Sequence, residues 1–326
     1  MDKSSETYNK FSCEKEIKVS VIVPAYNVDE YIYDCLKSIV EQTLREIEII
    51  VINDASTDST SKIIEQYRNN DPRVIAIENT INLGVAESRN IGLKLARGKY
   101  IKVIDSDDFL SKDALATLHA EAEKSNAEIV FHDAYTILNG REPKLLSYPD
   151  SEKNLDGMCG GQAWWYLFEK SIINHHQDVI FTAHAHPHED TVFSFKLFSR
   201  ARSSSYIKQP LIYYRIHDSG IMSQIGQGKK IDQHKNSAAL CAEDLINFYK
   251  NNSSLFAGKI ERKQVFIGLL KYFVREAPKG ACPIARRYIR KMILLEILFK
   301  KKVTKSNKLL IKIFKIPVLR LSYKAY

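Results

Sequence analysis

An α/β fold built on a mostly parallel sheet is what this sequence predicts, on three observations. Unbroken β-rich apolar runs alternate with stretches of helical periodicity from Val19 to Asp133. Such continuous runs belong to strands buried on both faces by covering helices. The polar residues able to do chemistry cluster just after the runs, where open parallel sheets bind ligands. Acidic residues with a purely structural role would be scattered over helix faces.

The elements follow in order. Residues 1–17 are polar and charged and read as a loose arm. Val19–Val23 is a buried strand ended by Pro24, and Val28–Gln42 has helical spacing through Ile32, Leu36, Ile39 and Val40. Ile47–Ile52 is a second strand, Ser59–Asn70 a helix and Val74–Ile77 a third strand. Val85–Ala96 is a helix with Gly98 placed as its C-terminal cap. Lys99–Ile104 is a fourth strand, Lys112–Ser125 a helix and Glu128–Asp133 a further strand. Residues 134–187 are less regular, with Gly157, Gly160 and Gly161 ahead of Trp164-Trp165, the character of a segment that shapes a substrate pocket. Trp164 is the acceptor-site candidate there. Ser204–Ile207 and Leu211–Ile216 read as two short strands around Pro210. Helices are predicted over Ser237–Tyr249, Arg262–Glu276, Ile284–Phe299 and Lys305–Phe314.

A length of 326 residues holds one large or two medium domains, and 44% apolar with 27% charged residues is ordinary for a globular chain. The five cysteines, Cys13, Cys35, Cys159, Cys241 and Cys282, are odd in number and form no CxxC pair. That argues for a reducing compartment. No secretion signal is evident at the start, and no run approaches the ~18 apolar residues of a membrane span. The net charge of +9 is uneven: from Ile284 onward 13 Lys/Arg face the single acidic residue Glu296, so this tail carries +12 and the rest −3. A basic, Ile/Leu-rich tail calls for an anionic surface. Nucleic acid would favour aromatics interleaved with the charges. Ile and Leu at helical spacing fit an amphipathic helix on a membrane surface better, with a self-packing helix pair as the competing reading. The expected location is cytoplasmic, peripheral on the inner face of the plasma membrane.

The chemistry starts from Asp105-Ser106-Asp107-Asp108, directly after the fourth strand. Carboxylates crowded at a strand end repel one another and are costly to desolvate. A divalent cation relieves both, and hard oxygen ligands select Mg²⁺ or Mn²⁺, which in turn hold a diphosphate. An acidic turn capping the helix that starts near Ser111 is the alternative. Pro24-Ala25-Tyr26-Asn27 and Asn53-Asp54 lie at the matching ends of the first and second strands.

Together VSVIVPAYN (19–27), EIIVINDASTDST (48–60), NLGVAESRNIGLKLARGKYIKVIDSDD (82–108) and HEDTVF (188–193) resemble the family-2 glycosyltransferases, inverting enzymes with the Rossmann-like GT-A fold. The resemblance covers residues 18–220. It implies a GT-A domain over 18–225, with a donor half 18–110 and an acceptor half 111–225, followed by a helical region 226–326. It implies a UDP-sugar donor, a glycan or glycolipid acceptor of the surface-polysaccharide or lipooligosaccharide type, and Mn²⁺ or Mg²⁺ as cofactor. In the family's pattern Asp54 accepts the uracil N3–H, and Pro24, Tyr26 and Asn27 shape the base pocket. Asp105 faces ribose and sugar hydroxyls, and Asp107 binds the metal. Arg89 and Asn90 match an Arg-Asn pair, Arg89 bracing Asp54 or Asp105 or touching the donor. Asp58 reads as a helix cap in Ser-Thr-Asp-Ser. Asp190 matches the general base, with Glu189 beside it positioning the acceptor and His188 a candidate acceptor contact. Tyr213-Tyr-Arg-Ile-His217 resembles a segment over the donor diphosphate, giving His217 a donor or metal role and Arg215 a phosphate contact.

Histidines 175, 176, 184, 186 and 188 are concentrated in one stretch; in an extended strand the last three would share a face, which Pro187 opposes, and a zinc site is not expected. A nucleotidyltransferase would carry a Gly-rich phosphate loop where Pro24–Asn27 stands. A non-catalytic or nucleic-acid-binding protein working through the basic tail is the remaining alternative.

Overall fold

The elements observed are β1 (Val19–Ala25), α1 (Ile32–Val40), β2 (Ile47–Asn53), α2 (Thr60–Asn70), β3 (Val74–Glu78), α3 (Val85–Leu95), β4 (Tyr100–Val103), β5 (Phe109–Leu110), α4 (Ala114–Ser125), β6 (Ile129–Leu138), β7 (Lys144–Leu146), β8 (Tyr166–Glu169), α5 (Ser171–His175), α6 (Glu189–Arg200), β9 (Ser204–Ile216), α7 (Ile221–Gly226), α8 (Ile231–Asn251) and α9 (Ile260–Glu276). They come from a computed structural model that describes residues 16–138, 141–148, 155–158 and 161–290.

The strands form one sheet in the order β3-β2-β1-β4-β8-β6-β9-β5, with β7 paired to the outer half of β6. β3, β2, β1 and β4 are parallel, and β8 joins β4 antiparallel. The chain leaves β1 toward β2 and β3 and then returns to pair β4 on the other side. The carboxyl ends of β1 and β4 therefore flank a topological switch point, the place where open α/β sheets form a crevice. β1, β2 and β4 are buried along their whole length, which accounts for their continuous apolar reading.

Several local expectations change. β1 runs on through Pro24 to Ala25, and α1 starts at Ile32 after a turn closed by Tyr31 N–H donating to Val28 O at 2.9 Å. Residues 204–216 are one strand: Pro210 sits at a bulge where His132 pairs Ile207 but Asp133 pairs Pro210, a position where the missing N–H costs no ladder bond. Gly98 does not cap α3, which ends at Leu95 with Ala96 as its C-cap; a Cβ at Gly98 would lie 2.6 Å from the Ser20 backbone nitrogen, so close approach to β1 selects glycine there. α8 begins six residues earlier than its apolar spacing suggests. Residues 283–290 are helical, and the rest of the basic tail and most of the N-terminal arm lie outside the described residues. Among the described residues no helix is long and apolar enough to cross a membrane.

Two apolar cores meet on α6. Phe193, Leu197 and Phe198 pack into the core around the sheet, while Val192 and Phe195 pack into a second core built by α8 and α9. A helix covered on both sides carries its first turn into the interior, so Glu189 and Asp190 are buried.

Candidate active site

At the ends of β1 and β2 the loops are stapled together. Asn27, in a left-handed conformation (φ 49°), accepts the Thr57 N–H at 2.8 Å, and its own N–H donates to Ser56 Oγ. Pro24 is buried opposite Ile52, whereas Tyr26 is 47% exposed and its ring is open to a ligand. Asp58 accepts from the Thr60 and Asp29 N–H groups at the start of α2. Asp54 is buried, and its carboxylate accepts Asn79 Nδ2 at 2.7 Å, Leu83 N–H at 2.8 Å and Gly84 N–H at 2.7 Å. Three of its roughly four acceptor positions are thus committed to the chain. Asp54 thereby builds the wall that leads into α3, and one acceptor position remains for the base contact expected of it.

The three aspartates after β4 diverge. Asp105 accepts Arg89 Nη2 at 2.6 Å. Asp107 Oδ2 meets His217 Nε2 at 2.9 Å, joining the two expected metal ligands from opposite ends of the domain. His217 packs on Tyr31 at 4.5 Å and bonds Ser219 Oγ through Nδ1. Asp108 turns inward; its Oδ1 accepts the Arg215 N–H at 2.8 Å and fixes β9 beneath the loop, while Oδ2 has no hydrogen-bond partner among the described residues. Burial pushes the Asp108 carboxyl well above the usual range, with the charges of Asp107 and Asp105 adding to it. Arg215 does not reach into the mouth: its guanidinium lies over Tyr31 and Phe109 and pairs with Asp34 at 3.2 Å.

A separation of 2.9 Å between Asp107 Oδ2 and His217 Nε2 is that of neighbouring corners of an octahedron with ~2.1 Å bonds, and a carboxylate with an imidazole suits Mn²⁺ and is tolerated by Mg²⁺. Among the described residues no group of three or more His, Cys, Asp or Glu side chains is placed to hold a metal alone. The pair would therefore hold a cation only with further ligands from outside these side chains.

Arg89 is the hub. It lies on the buried stripe of α3 with Ala86, Asn90 and Leu93 and is 3% exposed. Nη1 donates to Glu189 Oε1 at 2.7 Å and to Asp190 Oδ1 at 2.5 Å, and Nη2 donates to Asp105. Its guanidinium also lies over Phe181, whose backbone is gripped on both sides by the Asn90 amide. One strand end of the donor half is thus tied to the first turn of α6. Asp54 is not among the partners of Arg89. Burial pushes Asp190 up to about 7, Arg89 opposing and Glu189 and Asp105 adding to the rise. Burial would raise Glu189 as well, but His186, donating through Nδ1 at 3.2 Å, and Arg89 hold it down to about 2. Among the described residues Asp190 Oδ2 faces only the Ala163 N–H, at 3.4 Å, which leaves it a lone pair for a proton.

Two acceptor candidates are corrected. Trp164 is buried between Trp165 (4.4 Å) and Tyr214 (5.3 Å) and belongs to the core. His188 points away from the cleft into the second core, against His234, Tyr272 and Phe273, where burial and then His234 drive it down to about 4. His184 sits in a left-handed turn (φ 56°), and His184 and His186 face residues 82–86 and Gln233 across a cavity of about 220 Å³. Sequence reasoning missed the links from Arg89 to the Glu189-Asp190 pair. The available signal was an arginine on the apolar stripe of an amphipathic helix, which has to be paired when buried.

The family model described as "Glycosyl transferase family 2" matches residues 20–187. The chain is 30% identical over 234 residues to "Uncharacterized glycosyltransferase EpsJ" of Bacillus subtilis, covering 66% of each. It is 28% identical over 261 residues to the "Poly(ribitol-phosphate) beta-glucosyltransferase" of Bacillus spizizenii, covering 77% of this chain and 40% of that one. The match spans less than two thirds of the length of both relatives. Its fold is similar to the crystal structure of S. aureus TarS 1–349 in complex with UDP-GlcNAc, with a TM-score of 0.60, 22% identity and coverage of 81% and 82%.

Proposed function

Because the chain belongs to glycosyl transferase family 2, we propose that it transfers a hexose or N-acetylhexosamine from a UDP-sugar to a hydroxyl of a cell-surface polysaccharide. The observation that carries this reading is the Arg89 bridge, which sets Asp105, beside the Asp107–His217 pair, against the buried Asp190. The relative acting on poly(ribitol-phosphate) supports a surface-polymer acceptor, and the neighbour holding UDP-GlcNAc supports a UDP-linked donor.

In this reading Tyr26 stacks on the base, Pro24 and Asn27 form the pocket wall, and Asp54 keeps residues 79–84 in place around it. Asp105 and Arg89 orient the sugar. Asp107 and His217 hold Mn²⁺ or Mg²⁺, which supplies positive charge for the diphosphate leaving group. Asp190 takes the proton of the acceptor hydroxyl as that oxygen attacks the anomeric carbon. The bond to the diphosphate breaks on the opposite face, so one displacement inverts configuration. The charge balance favours this. Glu189, Asp105 and Asp190 share Arg89, with His186 as the nearest further cation. Proton uptake by Asp190 removes the excess negative charge.

The proposal extends to organisation and place: a GT-A unit over 18–225, a helical region from 226 sharing α6 with it, and a +12 tail resting on the anionic inner face of the plasma membrane. Equal membrane partition of full-length protein and a chain ending at Lys279 would remove the tail from that role.

The deciding experiment is thermal stabilisation by UDP, GDP, CMP and ADP, with and without Mn²⁺, alongside Asp107→Ala. A ligand that binds only the folded state raises the melting temperature by mass action. A Mn²⁺-dependent shift with UDP, lost in Asp107→Ala, is expected; no shift with any nucleotide overturns the reading.

A further inference from the structure

We propose that Lys102 is a positioning residue for Asp190, acting through the buried segment 161–166; the role rests on Asp190 being the general base. Lys102 stands in the middle of β4, three residues before Asp105, and is fully buried. A lysine is rarely placed there, because an amine removed from water has to find partners. Its Nζ has three: Trp164 O at 2.6 Å, His132 Nε2 at 2.6 Å and Tyr166 O at 3.5 Å. His132 is oriented by its Nδ1–H, which donates to Asp133 O at 2.7 Å and leaves Nε2 as the acceptor. Burial pushes both Lys102 and His132 well below their usual ranges, so the imidazole stays neutral and able to accept, and the amine, even uncharged, keeps two N–H groups for its two partners at 2.6 Å.

The opposite side of the same segment meets α6. Ala163 N–H faces Asp190 Oδ2, Gly161 O accepts Ser194 Oγ at 2.8 Å, and Tyr166 OH bonds the same Oγ at 2.7 Å. Asp190 and Ser194 are four residues apart and share one face of the helix. Segment 161–166 is therefore held by Lys102 on one side and presented to the face carrying Asp190 on the other. β4 reaches Asp190 by two independent routes, Asp105–Arg89 and Lys102–Trp164, and so sets the spacing between donor and acceptor halves. An apolar residue can fill the volume of Lys102 only at the cost of leaving His132 Nε2 and the Trp164 carbonyl without their donor. What such a residue cannot do is fix the two carbonyls.

The test uses two readouts that need no knowledge of the acceptor: the titration midpoint of Asp190 by carboxyl ¹³C NMR, assigned with Asp190→Asn, and UDP affinity in the presence of Mn²⁺. Arg89, Asp105, Glu189 and His186 face Asp190 and are unchanged in the variants. In Lys102→Met the segment relaxes and the Ala163 N–H no longer favours the ionised form. The midpoint is expected to rise by half a pH unit or more with UDP affinity within twofold. An unchanged midpoint overturns the proposal, and so does a joint loss of UDP affinity, which would mark general loosening. If Lys102→Met does not fold, His132→Leu and His132→Gln decide. The glutamine retains an acceptor for Lys102, so only the leucine variant should move the midpoint; equal midpoints overturn the proposal. Release of UDP from a mixture of UDP-glucose, UDP-galactose and their N-acetylamino forms separates the two levels. Wild-type turnover retained in Asp190→Asn sinks the base reading itself, whereas a dead Asp190→Asn with a silent Lys102→Met sinks only the brace.

Discussion

Asp190 shows how environment sets chemistry at the scale of one residue. Burial pushes the Asp190 carboxyl up to about 7 while Glu189 beside it is held down to about 2, a difference that suits the proposed role of Asp190 as base. A base works only when deprotonated, so kcat/KM should fall tenfold per pH unit below about 7 and level off above it; a flat profile from pH 5.5 to 8 would exclude Asp190 as the base. Asp190→Asn should cost about 10²–10⁴ in rate with UDP affinity retained, read by UDP release. Arg89 is the residue on which the others depend. Arg89→Met leaves three carboxyls without their shared cation, and breaking buried pairs costs about 3–5 kcal/mol, so both the denaturation midpoint and activity should drop. Asp105, Asp107 and Asp190 stood out in the sequence because each sits in a local motif. The partners of Arg89 did not, because nothing near position 89 marks which of 39 acidic residues will fold against it.

At the scale of elements, strand and helix identities followed from periodicity, and the departures came from contacts between elements. Pro210 looked like a strand break and is a bulge, because pairing with β6 continues on both sides of it. Gly98 looked like a cap and is a spacer against β1. Gly98→Ala should therefore cost about 1–3 kcal/mol through overpacking, measured as a lowered denaturant midpoint; no change would mean the turn yields freely. Asp54 looked like a ligand contact and also organises the approach to α3. Asp54→Asn keeps an acceptor for one of the two backbone N–H groups and turns an amide donor toward the other, Gly84 N–H if the amide oxygen takes the Oδ1 place, so melting temperature and UDP affinity should fall together.

For the whole molecule, α6 is the element that both cores share. Phe195 faces the second core while Phe193 and Phe198 face the first. Phe195→Ala should cost about 3–5 kcal/mol and shift a single unfolding transition downward. Two separated transitions would show that the helical region unfolds on its own and does not hold Asp190.

The sequence by itself determined the α/β class, the order of the elements and the carboxyl-end cluster of acidic residues. Burial on both faces and helical amphipathicity are properties of short stretches, and a family motif is carried by adjacent residues. The tertiary structure alone decided which groups meet: His217 with Asp107, Arg89 with the Glu189-Asp190 pair, and Lys102 with His132 and the Trp164 carbonyl. It also withdrew Trp164 and His188 from the cleft by burying them. Those pairings join residues 30 to 110 positions apart in the chain, and local patterning carries no record of them.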